Sequence, residues 1–435
     1  MTTASALLLA ALAATPAALA AHGPDDLADD YPRALARARE RHVPILVDVW
    51  APWCPSCRFM QGFVLRDPAL AGLTRRVVRL EVNTELPANA PFVEQFPIDA
   101  WPSLLVIDPD AERVAVRWVG AATVAEVERV VREGERALRA AAAGRAEEAF
   151  TRAGQLMAER RYPESAAAYQ EALSAGGRGW GRRSLAAELR VQALTFARDA
   201  AACAAGARQA APLLEGGPRA RVAAEGLACA AEIEDPAARH RAVGQLEPLA
   251  RAALRGGALL ADDRSGVHEA LLEAREAEGD EAGAKVEARR WLAFLEDAAR
   301  RAPGPLARSA FDSARAAAAT RLGEPARALP ALLASTRDLP DDFAPQASLA
   351  SLYLALERPE EALDASSRAL ALAEGPRRVR VLVVRAQAQA ALGRKDEARA
   401  TLSEAVRAGE AFPEALRPNT PLAQARKLLA QIDEG

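Results

Sequence analysis

The chain has 435 residues, half of them hydrophobic but only 5% aromatic, and alanine is abundant. That length suits two or three domains, and the composition favours close-packed helices over a sheet-rich protein. A net charge of −3 supplies no field that would gather nucleic acid or an anionic membrane, and the interleaved arginines and glutamates read as solvated helix faces.

At the N-terminus, Ser5 to Ala14 is a short apolar run, Pro16 breaks it, and Ala18-Leu19-Ala20 offers a small-x-small cleavage site. No Lys or Arg precedes the run, yet the pattern reads as a secretory signal over residues 1–20. The run is too short to cross a bilayer core of about 30 Å, so the expectation is a periplasmic or secreted protein with no stable membrane insertion after signal removal. Residues 21–30 read as a linker. In an oxidising compartment, paired cysteines close into disulfides.

From Tyr31 to about Ala140, strand-like and helix-like stretches alternate. "VPILVDVW" (43–50) is apolar on both faces, as a buried strand of a parallel sheet is. A helix follows the cysteines, "VVRLEVN" (77–83) reads as a second strand, and "NAPFVEQF" (89–96) as a short helix. "SLLVID" (103–108) and "RVAVRWVG" (113–120) flank the turn residues "PDAE", an antiparallel hairpin signal. An amphipathic helix over 123–140 closes a compact α/β unit.

After Ala140 no strand run remains, and residues 141–435 keep helical periodicity. "YLALERPEEALDASSRAL" and "QAALGRKDEARATLSEAV" align 36 residues apart, matching Ala350 with Ala386, Ala362 with Ala398 and Ala369 with Ala405. Leu322 and Ala328 sit one repeat of 34 earlier, and Ala153, Ser165 and Ala172 carry the same spacing. These residues resemble the tetratricopeptide repeat, whose small side chains let paired helices approach closely. The expected fold is therefore an α/β domain followed by an all-α, tetratricopeptide-like solenoid, whose concave face binds a partner that the sequence does not name.

The chemistry-bearing motif is "WCPSC", with Cys54 and Cys57 in a chain that has four cysteines. Zinc requires about four ligands, and His22, His42, His240 and His268 are not paired at ligand spacing, so no metal is expected. Neither a phosphate-binding glycine loop nor a Ser-His-Asp arrangement appears, and no cofactor is expected. A dithiol fits better. Cys54 lies where a strand ends and a helix begins, and there free N–H groups and the positive dipole end favour thiolate. Three residues on is nearly one turn, which brings Cys57 within reach of Cys54. Pro55 removes one of those N–H groups, so only moderate acidification is expected. Cys54 is expected to be exposed and to attack a client; Cys57 is expected to be shielded and to resolve the mixed disulfide.

"ILVDVWAPWCPSC" and "AWPSLLVID" resemble the active-site and cis-proline segments of thioredoxins. "FVLRDPAL" is most similar to the periplasmic C-terminal domain of the DsbD type. The resemblance covers about 31–140 and rests on Asp48, Trp53, Cys54, Cys57 and Pro102; the Pro55-Ser56 dipeptide departs from the Gly-Pro of ordinary thioredoxins. It implies that Asp48 exchanges a proton with Cys57. Asp48 stands on an otherwise apolar strand, where burial drives a carboxyl pKa upward, unless the strand edge is solvated. The resemblance also implies a cis bond before Pro102, holding the Trp101 backbone beside Cys54 to pair with an extended client. Trp53 and Trp101 are either a client-binding rim or packing residues.

Cys203 and Cys229 each lie 13 residues from Gly216, in a Gly-Gly-Pro turn signal between helices. They form either a structural disulfide or two ordinary buried thiols. The expected function is an exported thiol–disulfide oxidoreductase that reduces client disulfides in preference to forming them. Its partners are cysteine-bearing client proteins and an external electron donor such as a membrane thiol transporter. The rival reading is a non-enzymatic, redox-sensing repeat scaffold. Deleting the chain after about Ala140 is expected to alter the client set while sparing the thiol chemistry.

Overall fold

The computed structural model describes residues 26–139, 144–257 and 259–434; the expected signal over 1–20 lies outside them. A five-stranded sheet runs in the order β1-β3-β2-β4-β5. Its strands are β1 Asp26–Ala28, β2 Ile45–Trp50, β3 Val78–Asn83, β4 Ser103–Asp108 and β5 Arg113–Val119. β1 and β2 flank β3 in parallel, while β4 pairs antiparallel with both β2 and β5. Residues 26–28, read from sequence as linker, instead add an edge strand: Leu27 sits opposite Leu80 and half-buries itself there. Three residues are too few to leave a periodic signal.

Four helices clothe this sheet: α1 Tyr31–Arg41, α2 Pro55–Phe59, α3 Ala90–Gln95 and α4 Val124–Arg139. Side chains alternate across a strand, and β2 divides accordingly. Ile45, Val47 and Val49 join Ala34, Ala38, Phe92 and Phe96 on one face. Leu46 joins Met60, Val127 and Val131 on the other. α4 lies so close to the sheet that a Cβ on Gly134 would come within 2.3 Å of Val106; only glycine fits there.

From Arg145 onward helices follow one another in antiparallel pairs. In the pairs Phe343–Ala355 with Pro359–Leu372 and Arg377–Ala391 with Lys395–Glu410, the repeated alanines 350, 362, 369, 386, 398 and 405 are all buried. The same holds for Ala153, Ser165 and Ala172 in the first pair, where Ser165 Oγ donates to the Ala153 carbonyl at 2.8 Å. These contacts form the tetratricopeptide-like part of the chain. Among the described residues, no helix is long and apolar enough to cross a membrane.

The two parts are not separate bodies. Phe150, Tyr169, Leu185 and Leu189 of the helical region share one core with Val116, Trp118 and Leu104 of the sheet. At the far end Leu416 packs into the opposite sheet face beside the Phe92 cluster. The helices thus begin on one side of the sheet domain and return to its other side. A third junction is charged. Arg221 stacks over Trp118 at 4.7 Å and meets Glu126 of α4, Glu188 and Asp263 at 2.8, 2.8 and 3.2 Å.

Candidate active site

β2 carries the chain from the sheet centre to its C-terminal edge, and the turn Ala51–Cys54 feeds directly into α2. Cys54 caps that helix: its Sγ accepts the Cys57 N–H at 3.1 Å. The two sulfurs are bonded at 2.01 Å, with Cα atoms 5.2 Å apart. Pro55 occupies the first helical position, where no intrahelical N–H bond is lost. α2 continues into one turn of π-helix over Met60–Val64, a form that recurs at functional sites.

Asp48 is 4% exposed and shares the sheet face of Leu46, the face that the α2 segment covers. Gln61 Nε2 donates to its Oδ2 at 3.1 Å, while Oδ1 is buried without a hydrogen-bond partner. Burial pushes its pKa up from 3.8 to about 7; the Gln61 bond opposes that shift and Glu81 adds to it. Asp48 is thus a carboxyl able to hold or accept a proton near neutrality, tied by Gln61 to the segment that bears Cys57. Gln61 was not singled out from sequence; its position four residues after Cys57 was the available signal.

The Trp101–Pro102 peptide is cis. Trp101 meets Trp53 edge to face at 5.2 Å, and both pack against the Ala51, Cys54 and Cys57 cluster. Each indole nitrogen is committed: Trp101 Nε1 donates to Thr84 Oγ1 at 2.9 Å and Trp53 Nε1 to Glu85 Oε1 at 2.7 Å. The two rings therefore roof the disulfide in this state.

Cys54 is buried, with 4% of its surface exposed, and Cys57 is fully buried. The expected exposure of Cys54 is thus not found: Trp53 and Trp101 pack against it, and the helical region in turn contacts Trp53, Ser56 and Arg58. Arg377 lays its guanidinium 3.8 Å over the Trp53 ring, and its backbone N–H donates to Glu85 Oε2 at 2.8 Å. Gly375 makes this approach possible; it has φ +66°, and a Cβ there would come within 2.5 Å of the Glu85 carbonyl. Burial raises the pKa of Glu85, and burial together with neighbouring Arg380 lowers that of Arg377 to about 10. Ser56 Oγ donates to Asp262 Oδ1 at 2.8 Å, and Arg58 forms an ion pair with Asp342. None of these partners was marked by the sequence, since each lies hundreds of residues from the motif.

Cys203 and Cys229 stand elsewhere, bonded at 2.05 Å between the helices Ala200–Ala210 and Gly216–Ala231. Thr195 Oγ1 lies 3.4 and 3.8 Å from their sulfurs. Among the described residues, no three His, Cys, Asp or Glu side chains gather as metal ligands.

Residues 31–135 match a family model described as a thioredoxin-like domain. Similar proteins include the thiol:disulfide interchange protein DsbD 2 of Pseudomonas aeruginosa, 34% identical over 89 residues, which are 20% of this chain and 15% of that one. DsbD 1 of the same organism is 30% identical over 81 residues, 18% of this chain and 14% of its own. Thioredoxin 1 of Synechococcus elongatus is 35% identical over 75 residues, 17% of this chain and 65% of its own. The chain therefore spans less than two thirds of each of these relatives. Among solved structures, the TPR2AB-domain:pHSP90 complex of yeast Sti1 aligns over 66% of this chain and 98% of its own, at 14% identity and a TM-score of 0.25. The sheet order, the cis-proline, the capping cysteine and the family match together identify residues 31–135 as a thioredoxin-like domain, extended by a tetratricopeptide-like helical region.

Proposed function

We propose that this protein is a thiol–disulfide oxidoreductase that works through Cys54 and Cys57. The observation that carries the reading is the Cys54–Cys57 disulfide at the N-terminus of α2, on a domain similar to proteins named for thiol:disulfide interchange. In the reduced protein the Cys54 thiolate attacks a client disulfide, forming a mixed disulfide and expelling a client thiolate. Cys57, deprotonated by Asp48, then attacks Cys54 Sγ and releases the second client thiolate. The client gains two electrons and the protein gains its internal disulfide, which an external dithiol donor reduces again. Trp101 and cis-Pro102 lie beside the motif and suit pairing with an extended client strand once the roof opens.

Two internal disulfides suit an oxidising compartment, which agrees with an exported protein. Export, the reducing direction and a membrane thiol transporter as donor belong to this proposal, as does recruitment of clients by the helical region. The burial of Cys54 favours a second reading, a redox-sensing scaffold whose disulfide locks the helical region onto the domain. Insulin reduction by the full chain with a dithiol reductant separates the two. Turnover that is lost in both Cys54→Ser and Cys57→Ser supports the oxidoreductase; absence of turnover supports the scaffold.

A further inference from the structure

A cavity of about 260 Å³ opens between α2 and the helical region, lined on the domain side by Trp53 and Pro55, the two neighbours of Cys54. Across from them stand Ser348 and Ser351, together with Arg377 and Arg380 of the helix Arg377–Ala391. A second cavity of about 650 Å³ shares Pro55 and Arg380 with the first, so space runs along both sides of the redox helix. Arg58 and Asp312 line the same cavity: Arg58 is paired with Asp342, and Asp312 is paired through Oδ1 with Arg315 while its Oδ2 is buried without a hydrogen-bond partner. Among the described residues, no carboxylate lies within ion-pair distance of the Arg377 or Arg380 guanidinium; Glu85 accepts the Arg377 backbone N–H and also attracts its side chain from farther away, which leaves Arg380 as the cation without a partner. Two like charges one helical turn apart repel, and Arg377 is half-buried. Arg380, exposed and without an ion pair among the described residues, faces a cavity beside the redox motif together with Arg377, and this cationic edge suits an anion.

We infer that this cavity seats a carboxylate of an extended client segment whose acidic residue neighbours its cysteine. The inference rests on the oxidoreductase reading and names the client class for that site. Cys54 is 4% exposed, so the narrow space along α2 suits an extended segment better than a folded client surface. Arg380 with Arg377 beside it would recognise the acidic side chain, and Ser348 offers a hydroxyl to its backbone, while Ser351 Oγ donates to the Ala347 carbonyl and is left only to accept.

The test is fluorescence anisotropy with the oxidised full-length protein and a cysteine-free peptide in which serine replaces the client cysteine between two glutamates. Its twin carries glutamines. The glutamate peptide is expected to bind about tenfold more tightly, the scale of one charge-assisted contact. That gap should persist in Arg380→Lys, close in Arg380→Gln and turn into a preference for a lysine peptide in Arg380→Glu. Arg380 is exposed and its side chain makes no hydrogen bond or ion pair among the described residues, so these variants are expected to fold normally. Equal binding of the two peptides, or a gap that survives Arg380→Glu, overturns the inference. Because no thiol reacts in this assay, its outcome is independent of whether insulin is reduced.

Discussion

The Arg377 guanidinium lies 3.8 Å over the ring of Trp53, the residue that immediately precedes the first redox cysteine. A contact between the last third of the chain and the motif near its start makes access to Cys54 a property of the whole molecule. A desolvated cation–π contact contributes up to about 2 kcal/mol, enough to hold the roof closed most of the time. Arg377→Ala is therefore expected to speed alkylation of reduced Cys54 by iodoacetamide, a neutral reagent, by about tenfold. An unchanged rate means that the roof over Cys54 does not depend on this contact.

Asp48 gives a pH-dependent prediction whose sign is fixed by its burial. Its carboxyl titrates near 7 in the fold against 3.8 as a free side chain. The folded protein thus binds the proton more tightly, and the stability this contributes is fully present below about pH 4 and is lost as pH rises through 7. Asp48→Asn should match the wild type at pH 4 and exceed it at pH 8, by about 2–4 kcal/mol. Asp263 and Glu225, raised by burial to about 7 and about 8, act on both proteins alike and cancel in the difference. Denaturant melts at the two pH values read this directly, and a gap independent of pH contradicts it. The same variant should slow resolution of mixed disulfides near neutral pH.

Arg221 serves three buried or nearly buried carboxylates at once: Glu126, Glu188 and Asp263. Arg221→Met leaves them without their cation and is expected to cost about 3–5 kcal/mol. The loss should be greater at pH 8 than at pH 5, because acid neutralises the stranded carboxylates. A midpoint shift of the same size at both pH values contradicts this role.

The shared core bears on where the chain can be cut. Phe150 and Tyr169 are 6% and 2% exposed, packed with Trp118, which is itself 3% exposed. Ending the chain near Ala140 strips this cover, and each large side chain so exposed forfeits about 1.5–3 kcal/mol. A fragment 26–139 is expected to bind a hydrophobic dye and melt well below a fragment 26–196, which retains the first three helices of the helical region. Equal melting temperatures restore the sequence-based expectation that the boundary at Ala140 is a clean one.

Legibility in the sequence followed the range of the interactions. β2, β3, β4 and β5 announced themselves through local apolar runs, and the repeated alanines through a fixed spacing, because small side chains are required wherever helices cross closely. The capping position of Cys54 was readable from the strand-to-helix transition around it. The roof was not. Arg377 and Asp262 lie in the first turns of helices and Asp342 caps one, and all three are indistinguishable locally from solvated charges. Only the curvature of the helical region, a sum of many small rotations, carries them onto Trp53, Arg58 and Ser56. The packing of Phe150 against Trp118 left no local signal either, because periodicity shows that a face is buried but not against what.

The most direct measurement of the redox assignment is covalent trapping in cells with single-cysteine variants of the full chain. Attack requires Cys54, whose sulfur caps α2, and release requires Cys57, held within bonding distance of it. Cys57→Ala is expected to accumulate reductant-sensitive client adducts, and Cys54→Ala almost none. Equal trapping by the two variants, or none by either, would contradict a dithiol that works in this order.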